Sequence, residues 1–271
     1  WPSQFQASYD SDVRVLATYS DPGPDFWVAD LNLEEDAFHG LSLWEDHYGI
    51  NLHPDYLVQD PCIIQGSYGN GSYLLSYTHL ETPASSEANA LLGQILKNLI
   101  PLEVKAPDFS PLSPWKLAAL TPSWPDPFLS QAKSYLEDVI RTGEQNGQLS
   151  WRSGWLLGWK RGIPGFALNT LYALVSQSIT LKPSPKSIAL WENNQQTFMQ
   201  LLSDFRDQFI LYLQKETQSE SQSPSSPTSS SCSDLQNLRL HLVGPFPGQG
   251  GLYAELVSLL EELLYTQINV N

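Results

Sequence analysis

CIIQGSYGNGSYLLSYTHLE, residues 62–81, is the stretch whose reading decides the fold. The apolar runs Cys62–Ser67 and Tyr73–Tyr77 flank Tyr68-Gly69-Asn70-Gly71. Asn-Gly between two such runs is the strongest short hairpin signal a sequence carries, because the tight turn needs residues tolerant of positive φ. The second strand runs straight into His79-Leu80-Glu81. A helix is expected next, since Ala88, Leu91, Leu92, Ile95, Leu96 and Leu99 recur at helical spacing behind Ser85 or Ser86 as cap and ahead of Pro101.

Working outward, Val13–Tyr19 is β-branched and apolar enough for a buried strand, and Phe26–Ala29 reads as its neighbour across the turn residues 20–24. Residues 31–60 are irregular, acidic and rich in His and Trp. Downstream of a Pro-rich connector at 106–127 the pattern becomes helical. One stripe comprises Phe128, Ala132, Tyr135, Leu136, Val139 and Ile140, and a second helix covers Phe166–Ile179. A third starts at Ser184-Pro185, with Ile188, Trp191, Phe198, Leu202, Phe205, Phe209 and Leu213 on one side. Residues 216–234 lack the apolar mass to offset ordering entropy and are expected as a disordered loop, with a last helix near 252–264. The expected domains are therefore 1–105 (α/β), 128–215 (helical) and 235–271 (C-terminal helical segment).

The 271 residues are 41% hydrophobic, with a net charge of −15. Such a surface repels phosphate backbones and anionic bilayers, which excludes nucleic acid and membrane as main partners. No run approaches the roughly 18 apolar residues of a membrane span, and no leader pattern opens the chain. Two cysteines, Cys62 and Cys232, make no disulfide framework and read as reduced thiols of a cytoplasmic protein. Because the chain begins at Trp1, it is expected to be the product of upstream cleavage or the tail of a longer protein.

A His at the carboxyl end of a central strand can act as a general base when a carboxylate fixes its tautomer and stabilises the imidazolium. His79 and Glu81 have that relation. With the Gly-x-Gly turn before them, residues 62–81 resemble the final hairpin of class I glutamine-amidotransferase-like domains. The closer resemblance, over roughly residues 5–100, is to the N-terminal domain of biotin-protein ligases. Val13–Tyr19 matches its upstream strand, and the Pro-Ala-Ser-Ser stretch and helix after Glu81 also fit. The resemblance implies a flavodoxin-like sheet of which only the C-terminal part is present, with His79 as triad base and Glu81 as its orienter. The family nucleophile is a Cys in a Gly-rich strand-to-helix turn. The sequence has no such elbow: Cys62 follows Pro61 on the partner strand, and Cys232 sits in the Ser/Pro tract. Neither ligase-domain signature of that family is present, so biotin transfer is not expected.

Two other clusters carry chemistry. His39, His47 and His53 lie among Glu34, Glu35, Asp36, Glu45 and Asp46, suited to zinc or iron by donor type but matching no compact ligand spacing. They read as a solvated acidic insertion, and a metal-dependent hydrolase there is the remoter alternative. Trp151, Trp155 and Trp159 are four apart, so a helix would stack them on one face beside Arg152, Lys160 and Arg161. That patch is a candidate ligand or interface site, although indoles filling an interior interface are the commoner use of such spacing.

The sequence thus points to an α/β unit followed by a mainly α-helical region. It predicts a Cys-His-Glu amidotransferase-like protein lacking its nucleophile in this chain, with no metal or organic cofactor. The expected partner is a small amide or carboxylate ligand or another protein. The alternative is a non-catalytic binding or regulatory module on the same scaffold.

Overall fold

A computed structural model of the chain describes residues 4–6, 12–22, 26–28, 31–33, 41–48, 51–82, 85–99, 121–159, 165–220, 233–245 and 250–269. Helices and small sheets are mixed along it, and the chain divides into two units, one of residues 1–24 and 53–115, the other of residues 25–52 and 116–271.

In the first unit, β1 (Val13–Thr18), β4 (Pro61–Tyr68) and β5 (Gly71–Ser76) form an antiparallel sheet in the order β1-β4-β5. The expected hairpin is present, pairing Tyr68 with Gly71 and Ile63 with Ser76. Its two central residues are Gly69 and Asn70, and Gly69 supplies the positive φ of 57°. Glycine at the first central position is the requirement of a type II′ turn, so the turn sits one residue earlier than an Asn-Gly centre. Gly66 faces Tyr73 across the ladder, and a Cβ there would collide with the Tyr73 ring.

Helix α2 (Ser86–Leu99) supplies the cover. Ala88, Leu92 and Ile95 from it pack on the buried trio Cys62, Ile63 and Leu80. Two expectations change here. Val13–Tyr19 is a strand but not a buried one, since Val15 and Leu16 are exposed. And β5 is an edge strand of the sheet among the described residues, where a central one was expected.

The second unit contains the larger core. Its helices are α1 (Leu41–Tyr48), α3 (Pro127–Gln145), α4 (Gly165–Thr180), α5 (Pro185–Glu220), α6 (Ser233–Val243) and α7 (Gly251–Ile268). Thirty-six residues make α5 about 54 Å long. Its stripe Trp191, Phe198, Leu202, Phe205, Phe209 and Leu213 is buried as the periodicity predicts, while Ile188 is exposed. The helix packs on α3, α6 and α7. Its start is a capping box: the Ser187 amide donates to Ser184 Oγ at 3.1 Å and the Ser184 amide to Ser187 Oγ at 2.8 Å. The same Ser184 hydroxyl donates to the Thr266 carbonyl at 2.9 Å, tying α5 to the end of α7. At α3, Asp126 Oδ1 accepts from the Leu129 amide with Pro127 in the first turn.

A second sheet, in the order β2-β3-β7-β6, uses β2 (Phe26–Val28), β3 (Leu31–Leu33), β6 (Leu149–Ser153) and β7 (Leu156–Trp159). Here the sequence reading is corrected three times. Phe26–Val28 pairs with Leu31–Leu33 and not with Val13–Thr18, so residues 25–52 join the helical unit. The tryptophan triplet lies on the β6–β7 hairpin, not on a helix. Trp151, Trp155 and Trp159 fall on β6, the turn and β7 in succession, and Gly154 and Gly158 disfavour the helical alternative. Gly158 is required for packing: a Cβ there would enter the Trp27 indole. Third, residues 216–220 and 233–234 are helical rather than loop, and Glu216 is fully buried. The rest of that Ser/Pro tract, and most of the Pro-rich connector, lies outside the described residues. No helix among them is long and apolar enough to cross a membrane.

Two substitutions test these packing claims by denaturant unfolding. Phe205→Ala, which empties a fully buried site on α5, is expected to cost about 3–5 kcal/mol. Gly158→Ala is expected to cost about 1–3 kcal/mol by displacing Trp27.

Candidate functional site

The His-x-Glu segment is shaped by what lies between its two polar residues. Leu80 is buried with Cys62 and Ile63 beneath α2. With Leu80 drawn inward, His79 and Glu81 are both left facing solvent, 82% and 61% exposed. They close on each other: His79 Nδ1 and Glu81 Oε1 are 2.7 Å apart. The hydrogen bond to His79 is the main cause holding the Glu81 carboxyl below its ordinary range. An ionised carboxylate only accepts, so Nδ1 carries the proton and Nε2 is the acceptor of the neutral ring. That is the tautomer a triad base requires.

The turn carrying the pair is braced on both sides. Ser76 Oγ accepts from the Thr78 amide at 3.2 Å, and Thr82 Oγ1 donates to the His79 carbonyl at 2.8 Å. Asn89, buried in α2, donates from Nδ2 to the carbonyls of Leu80 at 2.7 Å and Thr82 at 3.1 Å. Asn89 is the positioning residue that sequence reasoning missed. Its signal was a polar side chain beside the apolar stripe, one position after Ala88. A cleft of about 450 Å³ adjoins the pair, walled by Leu74, Tyr77, Leu92 and Ile95.

Cys62 cannot serve as the nucleophile of this pair. It is a core residue at 4% exposure, and burial pushes its thiol pKa up, the reverse of what a reactive thiolate needs. Cys232 lies outside the described residues.

No protein-family model matches the chain, and no curated protein and no solved structure matches it.

The remaining sequence candidates separate from one another. Trp159 is fully buried in the helical unit's core, Trp155 packs against that core, and Trp151 is exposed. The Arg152 guanidinium lies 5.1 Å from the centre of the Trp27 ring. Lys160 and Arg161 lie outside the described residues. Of the three histidines in the acidic insertion, His39 also lies outside them. His53 caps the short 3-10 turn Pro54–Tyr56, its Nδ1 accepting from the Asp55 amide at 3.4 Å. No group of three potential metal ligands occurs among the described residues. Asn169 ties α4 to β7, its Oδ1 accepting from the Leu157 amide at 2.9 Å.

Three results are expected. Asn89→Leu should destabilise the chain by about 1–3 kcal/mol in denaturant, because two carbonyls lose their donor. In a Cys232→Ser background, Cys62 should resist iodoacetamide in the folded chain and react only on unfolding. The third concerns pH. A depressed Glu81 pKa means the interaction contributes above the ordinary carboxylate range and is lost as pH falls through the lowered value. His79→Ala should return the Glu81 titration, followed by carbonyl carbon NMR, upward to that ordinary range.

Proposed function

We propose that the first unit is the C-terminal part of a class I amidotransferase-like domain of the kind found at the N-terminus of biotin-protein ligases. In this reading His79 is the base of a Cys-His-Glu triad and Glu81 its orienter. The observation that carries it is the 2.7 Å contact between His79 Nδ1 and Glu81 Oε1 at the end of a Gly-turn hairpin. Support comes also from the helix that follows and from the braced turn beneath the pair.

The chemistry follows from the tautomer. Nε2, turned away from Glu81, takes the proton of an attacking thiol, and Glu81 offsets the charge that forms on the ring. The same Nε2 then returns that proton to the leaving amine as the tetrahedral adduct collapses to a thioester. Water attacks the thioester by the same route in reverse, with the carboxylic acid as product. The thiol must come from a residue other than Cys62. No cofactor enters any step.

The second reading is a binding or regulatory module that retains the scaffold. The exposure of His79 favours it, since a base open to water gains little from preorganisation.

Long-range proton–nitrogen NMR of the chain tests the pair directly. The neutral His79 ring is expected as the Nδ1–H tautomer with Nε2 bare. Glu81→Gln should lose that preference, because a carboxamide can donate as well as accept. An Nε2–H ring in the unmodified chain would sink the triad assignment. Hydroxamate formation from glutamine and hydroxylamine by the natural polypeptide separates the readings: an enzyme forms it and a binding module does not.

A further inference from the structure

A second concavity, within the helical unit, has a different chemistry. The face of α3 bearing Glu137, Ile140, Arg141 and Glu144 forms one wall of a cavity of about 500 Å³. Those residues share a face because they are three or four apart. Trp151 and Ser153 of β6 line it with Gly154, and Tyr172 of α4 completes it. The volume suits a small ligand.

Its polar groups are unevenly satisfied. The Tyr172 hydroxyl donates to Glu137 Oε1 at 3.1 Å, which fixes the phenol ring. The Trp151 indole stands 6.0 Å from that ring at 59°, so two aromatic surfaces meet at an angle. Lys133 Nζ lies 5.6 Å from the Tyr172 ring centre and 3.9 Å from Glu137 Oε1. Arg141 is turned to Asp138 at 3.2 Å. No ion pair among the described residues engages the Glu144 side chain, which is exposed at the cavity wall.

We propose that this cavity binds an organic ammonium ion, a primary amine on an apolar stem. The ammonium lies against Trp151 and Tyr172 with Glu144 as its counter-charge. An anion would meet Glu137 and Glu144. A neutral hydrocarbon would leave Glu144 without a counter-charge, and a bare metal ion would make no use of the aromatic rings. The site goes beyond the His79–Glu81 reading and does not depend on it.

Titration of the full chain with n-butylammonium chloride tests the proposal, read at the backbone amide of Gly154 by proton–nitrogen NMR. A saturable shift is expected, weakened about tenfold by Trp151→Ala and by Glu144→Gln. Glu144 is an exposed helix position, so its substitution keeps the test valid if Trp151→Ala fails to fold. An acetyl-Gly-Lys-Gly-amide peptide distinguishes the source. Binding of the free amine identifies a small metabolite-like amine, and binding of the peptide alone identifies a lysine side chain; either result supports the site. Silence with both ligands, an equal shift with sodium butyrate, or unchanged affinity in Glu144→Gln would overturn it.

Discussion

The long helix Pro185–Glu220 must bury one aromatic stripe, and the arrangement of the helical unit follows from that requirement. Trp191, Phe198, Leu202, Phe205, Phe209 and Tyr212 are nearly or wholly removed from water along it. Each full aromatic burial contributes roughly 1.5–3 kcal/mol, so no exposed arrangement of this helix competes. Covering the stripe takes α3 and α7 directly, while α4 closes against both. Once α3 and α4 are fixed, β7 has a surface to lie on, and Trp159 enters the core with it. The small sheet that carries Trp151 is thus a consequence of helix packing, and so is the cavity between α3, β6 and Tyr172.

The first unit solves the same problem with far less material. Its hydrophobic cluster is Cys62, Ile63 and Leu80 under three side chains of α2 and a few from the strands. Leu80 anchors the end of the hairpin, and its two polar neighbours are left outside as a result. Asn89 then pins the turn by its own amide, since the carbonyls there have no strand to pair with. The His79–Glu81 contact therefore rests on one leucine and one asparagine more than on mutual attraction. Between groups this exposed, that attraction is screened by salt and weak.

Much of this was legible from local pattern. The Gly69-Asn70 hairpin, the Ser184 cap and the α5 stripe each depend on residues close in sequence, where turn chemistry and periodicity act directly. What depends on distant partners was not legible. Spacing by four in Trp151, Trp155 and Trp159 fits a single helix or a hairpin whose turn falls at Trp155. The choice was made by Trp27, more than a hundred residues away, which occupies the space above Gly158. The sequence pairs residues 26–28 with the strand that precedes them, whereas their partner is the strand immediately after them and their sheet is completed by residues 149–159. Helical continuation through Glu216 was hidden for a related reason, since a polar sequence gave no hint of a buried carboxylate.

The two concavities differ in how their charges are held, and that bears on what each can do. At His79 the carboxylate and its partner are adjacent in sequence and open to water, so their geometry is set by a turn and their electrostatic strength is limited by solvent. Around Tyr172 the groups come from three elements, and the phenol is buried beside Glu137, which drives its pKa upward. A phenol that keeps its proton remains a fixed donor, so Glu137 stays committed to it and the aromatic wall keeps its orientation. A rigid surface that loses little freedom when a ligand arrives is the better binding site. A turn held at two points but open to solvent is better suited to presenting a proton acceptor to a group supplied from elsewhere. The two concavities thus use the same residue types, a carboxylate beside a ring, in differently packed settings.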